Sequence, residues 1–99
     1  AVDYSGYPDC RQYFITGIEY VSNLGSDSTI IIKTPLMNLT KAQTWLLAEQ
    51  ENCITTVLFD SHTCYNGNRT QLNDWGYGCG ECPACMLRAK GFNEYKTLI

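Results

Sequence analysis

From about Cys10 to Leu24 the apolar residues Phe14, Ile15, Ile18, Val21 and Leu24 recur at three- and four-residue steps, the spacing that gathers side chains on one face of an α-helix. Gly25 follows where a left-handed C-terminal cap is wanted, and Asp9 stands ahead as a candidate N-cap. The opening stretch, Asp3-Tyr4-Ser5-Gly6-Tyr7-Pro8-Asp9, mixes turn formers with aromatics and has no period, which predicts a loop. Thr29-Ile30-Ile31-Ile32-Lys33-Thr34 is a β-branched run between a Ser/Asp turn and Pro35, and it predicts a buried strand.

Thr40-Lys41-Ala42-Gln43 has the spacing of a capping box, and Trp45, Leu46, Leu47 and Ala48 continue it as a helix ending near Gln50. Pro35 to Leu39 is then the connection from strand to helix. A helix, a strand, a short loop and a capped helix form the alternation of an α/β domain with a parallel sheet. With one clear strand in view, that sheet needs partners from elsewhere. Cys53 to Phe59 fits either a short strand or a helix end. Polar and turn residues from Tyr65 to Gly80 predict a long loop, and Pro83 starts a last helix that Gly91 should stop. Phe92 to Ile99 carries no assignable pattern.

A chain of 99 residues buries only about 60 to 65 per cent of the surface it exposes when unfolded, so extra staples are expected. No stretch is long and apolar enough to cross a bilayer, and a soluble, cytoplasmic protein with no membrane role is expected. The net charge is −3 and the seven Lys and Arg residues are scattered, which leaves no electrostatic footprint for nucleic acid. The first residue is Ala and no secretory signal follows, so a processed chain, or a piece of something longer, is expected.

Six cysteines are the compositional outlier. Three disulfides are one reading, and two Asn-x-Thr triplets, at Asn38 and Asn68, lean slightly toward secretion. Metal is the other. Cys79-Gly-Glu-Cys82-Pro-Ala-Cys85 sets three thiols within one short turn, a density that suits a loop wrapping an ion better than a disulfide framework. Cys64 completes a tetrahedron. Four thiolates leave no open position, so one structural zinc is expected, fastening the long loop to the last helix, with an iron–sulfur centre the alternative on ligand type alone. Cys10 and Cys53 are left over, and His62 is expected to be structural.

These segments make four ordered motifs. Asp3 to Arg11, then Thr34-Pro35-Leu36-Met37 with Lys41-Ala42-Gln43-Thr44-Trp45, then Thr63-Cys64-Tyr65-Asn66-Gly67, then Cys79 to Phe92 closely resemble the 7-cyano-7-deazaguanine synthase (QueC) family. The resemblance spans almost the whole chain and corresponds to the C-terminal part of the family's sequence. It implies a Rossmann-like ATP pyrophosphatase fold of the adenine nucleotide alpha hydrolase-like kind. Residues 1–99 would be a single C-terminal fragment, with an α/β part at 1–60 and a zinc-binding segment at 61–92. The family is an ATP-dependent ligase of the queuosine (tRNA modification) pathway. It converts 7-carboxy-7-deazaguanine and ammonia to 7-cyano-7-deazaguanine, adenylating the carboxylate before ammonia displaces the nucleotide.

The family's Ser-Gly-Gly-x-Asp-Ser phosphate loop is absent, and Ser26-Asp27-Ser28 reads as a turn, so this stretch alone is expected to be inactive. For substrate, Asp3 and Asp9 can accept from a guanine-like edge while Tyr4 or Tyr7 stacks on its face, with Arg11 nearby. Lys41, first in its helix, suits a nucleotide phosphate. The rival readings are an N-cap for Asp9, a solvated lysine, and water-facing arginines at Arg11 and Arg88. A homodimer is compatible with a truncated sheet edge. The alternative from another class is a free-standing zinc-binding interaction module without catalytic activity.

Overall fold

In the computed structural model residues 6–99 are described, so Asp3 and Tyr4 lie outside the described residues. Pro8–Cys10 form a single 3-10 turn, which takes up Asp9 and leaves extended Arg11 as the cap of the first helix, α1, Gln12–Ser26. The predicted cap and boundary are therefore each shifted by two residues. Gly25 stays inside α1, and the left-handed residue is Asp27 at φ 50° and ψ 50°. Asp tolerates this conformation because its short polar side chain can bond locally.

The strand predicted at Thr29–Thr34 does not form, and Ile30 and Ile31 are exposed. A strand needs a neighbour offering the complementary row of backbone groups, and no such neighbour exists among the described residues. Side chains of α1 take that place. Asn23 accepts from the Ile30 N–H at 2.8 Å and donates to its carbonyl at 2.9 Å, and Glu19 accepts from the Ile32 N–H at 2.8 Å.

Helix α2, Lys41–Gln50, matches the sequence expectation, with the capping box closed by Gln43 N–H on Thr40 Oγ1 and Thr40 N–H on Gln43 Oε1. Asn52, at φ 58°, turns the chain directly into α3, Ile54–Asp60, so the ambiguous Cys53–Phe59 run is helical. The long loop contains an antiparallel hairpin, β1 (Leu72–Asn73) and β2 (Gly76–Tyr77). Helix α4 spans Pro83–Lys96 and passes through Gly91 instead of stopping there. A Cβ on Gly91 would lie 2.4 Å from the Lys41 Cβ, so this glycine serves the close crossing of α2 and α4.

The core follows from that crossing. Ala42, Trp45 and Ala48 of α2 face Cys85, Arg88, Phe92 and Tyr95 of α4, all buried at helical spacing. Trp45 and Phe92 meet edge-on at 5.0 Å between ring centroids, and Tyr95 donates to Glu49 Oε2 at 3.0 Å. By contrast α1 buries no residue, and its apolar face is open at Phe14, Ile18, Val21 and Leu24. The described residues thus form a small α/β unit, in which the sheet is the short hairpin and not the expected parallel one. None of the described helices is long and apolar enough to cross a membrane.

Candidate metal centre

Four thiols arrive from three directions. Cys64 closes the segment after α3, Cys79 follows the hairpin, Cys82 is the N-cap of α4 and Cys85 lies in its first turn. Their Sγ atoms all fall within 4.8 Å of one another, and those of Cys79 and Cys85 are 4.0 Å apart. A tetrahedron with metal–sulfur bonds of about 2.3 Å has sulfurs about 3.8 Å apart, so small adjustments complete it. The cluster could therefore hold a metal ion.

Backbone N–H groups converge on the sulfurs. Glu81 and Cys82 donate to Cys79 Sγ at 3.3 Å, Cys85 and Tyr65 to Cys82 Sγ at 3.4 Å, and Cys79 to Cys64 Sγ at 3.4 Å. The Asn66 amide adds a further donor to Cys79 Sγ at 3.3 Å. Such donors stabilise negative charge on sulfur. Burial opposes ionisation of Cys64, yet the N–H groups of Cys79, Asn68 and Asn66 bring its thiol down to about 6. Cys82 is likewise lowered, its burial outweighed by donation from Cys85 and Tyr65. Burial pushes Cys85 up to about 12. A thiol that deep ionises readily only when a cation stands beside the sulfur to bind the thiolate, its proton leaving to solvent. Four sulfurs in tetrahedral reach, with charge-stabilising donors around them, fit a thiophilic divalent ion.

Two glycines make room for the cluster. Gly80, at φ 78°, turns the chain between Cys79 and Cys82, and a Cβ on Gly78 would lie 2.6 Å from Cys85 Sγ. Behind the cluster sits Arg88, which the sequence left facing water. The side chain is buried, with Nε donating to the Trp75 carbonyl at 2.7 Å, Nη1 to Ser61 Oγ at 3.1 Å and Nη2 to the Val57 carbonyl at 2.9 Å. Its guanidinium also lies 5.3 Å from the Trp45 ring centroid. The only hint in the sequence was its position three residues after Cys85 on a helix, which turns it to the same face. His62 pairs with the Asn68 carbonyl at 2.8 Å and is outside the cluster, as are the exposed Cys10 and Cys53.

The other candidate residues are less gathered. Tyr7 is exposed, and its phenol is raised above its usual range by a hydrogen bond with Tyr65. Asp9 sits in the 3-10 turn and Arg11 caps α1, donating to the Tyr13 hydroxyl at 2.8 Å. Lys41 begins α2 and lines a cavity of about 750 Å³ between α2, α3 and α4, together with Cys10 and Tyr65. Tyr7, Asp9 and Arg11 do not line it.

The family model described as "Queuosine biosynthesis protein QueC" matches residues 1–96. A protein of Wolinella succinogenes named 7-cyano-7-deazaguanine synthase is 57% identical over 97 residues, covering 98% of this chain and 42% of the relative. Proteins of the same name from Burkholderia lata and Alkalilimnicola ehrlichii are 51% and 52% identical, covering 94% and 97% of this chain and 39% and 42% of each relative. The chain thus spans about two-fifths of the length of the curated relatives it matches.

Proposed function

Because the chain belongs to the queuosine biosynthesis protein QueC family, we propose that it serves as part of a 7-cyano-7-deazaguanine synthase. The reaction joins ammonia to 7-carboxy-7-deazaguanine at the expense of ATP and yields the nitrile in the cytoplasm. One observation carries the reading: a chain matching the family over residues 1–96 also brings four cysteine sulfurs within 4.8 Å of one another. The ion is zinc, held by Cys64, Cys79, Cys82 and Cys85. Four thiolates leave it no open position, so its contribution when bound is to hold the fold together.

The chemistry assigns the remaining parts. A bare carboxylate is a poor electrophile, so ATP supplies an adenylate leaving group before ammonia attacks. That displacement gives the carboxamide and AMP; the amide oxygen leaves only after a second activation by ATP, which gives the nitrile. Positive charge is needed where phosphate charge builds up. Lys41 at the start of α2 supplies one such charge. The Asp3–Arg11 segment, through Asp3, Tyr4, Tyr7, Asp9 and Arg11, recognises the substrate's guanine-like edge. Residues 1–60 belong to a Rossmann-like sheet domain and 61–92 are the zinc-binding segment. Supporting the sheet, the N–H and C=O of Ile31 have no partner among the described residues, while those of Ile30 are held by Asn23. The unpaired backbone of Ile31 and the bare face of α1 suit a sheet contributed by the part of the family's length beyond this match, or by a second copy in a homodimer. The 99 residues alone, without a Ser-Gly-Gly phosphate loop, do not turn over.

The open face of α1 equally suits a zinc-binding interaction module that docks on another protein. Assay of the complete protein with ATP, ammonium and the carboxylate distinguishes the two. Nitrile formation with release of AMP supports the ligase. No turnover by metal-replete complete protein removes it.

A further inference from the structure

The four thiols of the metal centre are unequally shielded. Cys64, Cys82 and Cys85 are buried, whereas Cys79 is half-buried and has exposed Asn66, Gly80 and Glu81 around it. Three donors reach its sulfur at 3.3 Å: the N–H groups of Glu81 and Cys82 and the side-chain amide of Asn66. The two backbone donors belong to the Cys-x-x-Cys turn, while Asn66 is an exposed side chain brought in from 13 residues away. The Cys85 sulfur lies 4.0 Å from that of Cys79. We propose that Cys79 is the oxidation site of this centre, where a neutral hydroperoxide such as hydrogen peroxide joins Cys79 to Cys85 as a disulfide, and that the Asn66 amide slows the reaction. The inference rests on the zinc reading above and on no step of the ligase reaction.

Oxidation of a cysteine follows thiolate character and exposure, and of the four sulfurs only that of Cys79 combines a place at the surface with donors that hold negative charge. Its thiolate attacks one peroxide oxygen, the O–O bond breaks and hydroxide leaves, giving a sulfenic acid. The Cys85 thiolate then attacks the Cys79 sulfur, the S–O bond breaks and a second hydroxide leaves. With two protons from solvent, two thiolates and one hydrogen peroxide become one disulfide and two waters; the sulfurs lose two electrons and the peroxide oxygens gain them. Closing the sulfurs from 4.0 Å to a bond of about 2 Å moves only the Cys79 arm. That arm runs between Gly78 and Gly80 and already lies against its partner, since a Cβ on Gly78 would be 2.6 Å from Cys85 Sγ. Disulfide sulfurs are no longer thiolate ligands, so the ion keeps two of its four holders and escapes, unfastening the long loop from α4. Asn66 opposes the first step, because a hydrogen bond to a thiolate withdraws charge and lowers its nucleophilicity.

The test treats the complete, zinc-loaded protein with hydrogen peroxide, follows zinc release with a chromogenic indicator, and maps thiols by differential alkylation and mass spectrometry. Zinc should leave at a rate proportional to peroxide, with Cys79 and Cys85 joined and Cys64 and Cys82 still open to alkylation. Dithiothreitol with added zinc should restore the starting state. Cys10 and Cys53 are exposed and outside the cluster, so the double variant Cys10→Ser, Cys53→Ser should release zinc at the parent rate. Asn66→Ala should raise the peroxide-dependent rate by about 3- to 10-fold, the weight of one hydrogen bond. Release to a chelator without peroxide, which a merely structural Asn66 would speed equally, should stay within twofold of the parent. A first disulfide at any other pair, zinc retained while peroxide consumes the Cys53 thiol, or an Asn66→Ala rate no higher than the parent's overturns the proposal. Untreated protein without stoichiometric zinc removes the zinc reading instead, and the mapped disulfide then decides the oxidation on its own.

Discussion

Replacing Arg88 with Met keeps the length and apolar stem of the side chain and deletes the three-way bridge between α3, the hairpin and α4. The Trp75 carbonyl then loses the hydrogen bond that Arg88 Nε provides at 2.7 Å, whereas the Val57 carbonyl keeps the Ser61 hydroxyl. One orphaned buried carbonyl costs about 1 to 3 kcal/mol, and two further bonds to a charged donor disappear with it. Against that loss, methionine relieves the desolvation that holds the Arg88 guanidinium below its usual pKa. The net destabilisation comes to about 3 kcal/mol. Urea unfolding at fixed free zinc, followed by the fluorescence of Trp45 and Trp75, should show the midpoint falling by about 2 M for an m value of about 1.5 kcal/mol/M. Arg88→Lys should recover little, since an ammonium lacks the planar fork that reaches three acceptors at once. A loss under about 0.5 kcal/mol, the range of ordinary surface changes, would refute the claim that this bridge holds α3, the hairpin and α4 together.

Gly91→Ala should lower the melting temperature although alanine is the better helix former by about 1 kcal/mol, because the new Cβ meets the Lys41 Cβ at 2.4 Å and overpacking costs about 1 to 3 kcal/mol; thermal melts of the two proteins decide it. Cys85→Ser should lose stoichiometric metal in elemental analysis, whereas Cys53→Ser should keep it, since Cys53 lies outside the sulfur cluster. In the metal-free fold the Cys64 thiol, lowered from 9.0 to about 6, contributes stability present above pH 9 and lost as pH falls through about 6; Cys85, raised to about 12, contributes below pH 9 and loses it as pH rises through 12. Protons therefore compete with metal at Cys85 across neutral pH and at Cys64 as well below about 6, so chelator competition should show zinc affinity falling more steeply with pH below 6 than above.

Much of the site was written locally. Cys79, Cys82 and Cys85 lie within seven residues, so a turn at Gly80 and one helical turn are enough to aim their sulfurs together, whatever the rest of the chain does. The same holds for the capping box at Thr40 and Gln43, and for the apolar stripe of α1, whose determinants are three or four residues apart. What depended on distant neighbours was not legible. Thr29–Thr34 has the composition of a strand, but pairing requires another segment, and α1 side chains hold it instead. Gly91 has the look of a helix stop, and only the crossing of α2 over α4 shows why a side chain is missing there. Arg88 is buried because acceptors 13, 27 and 31 residues away in the chain close around it. Short-range spacing decided which groups could meet a metal; long-range packing decided which backbone and charged groups found partners, and hence which of the predicted elements formed.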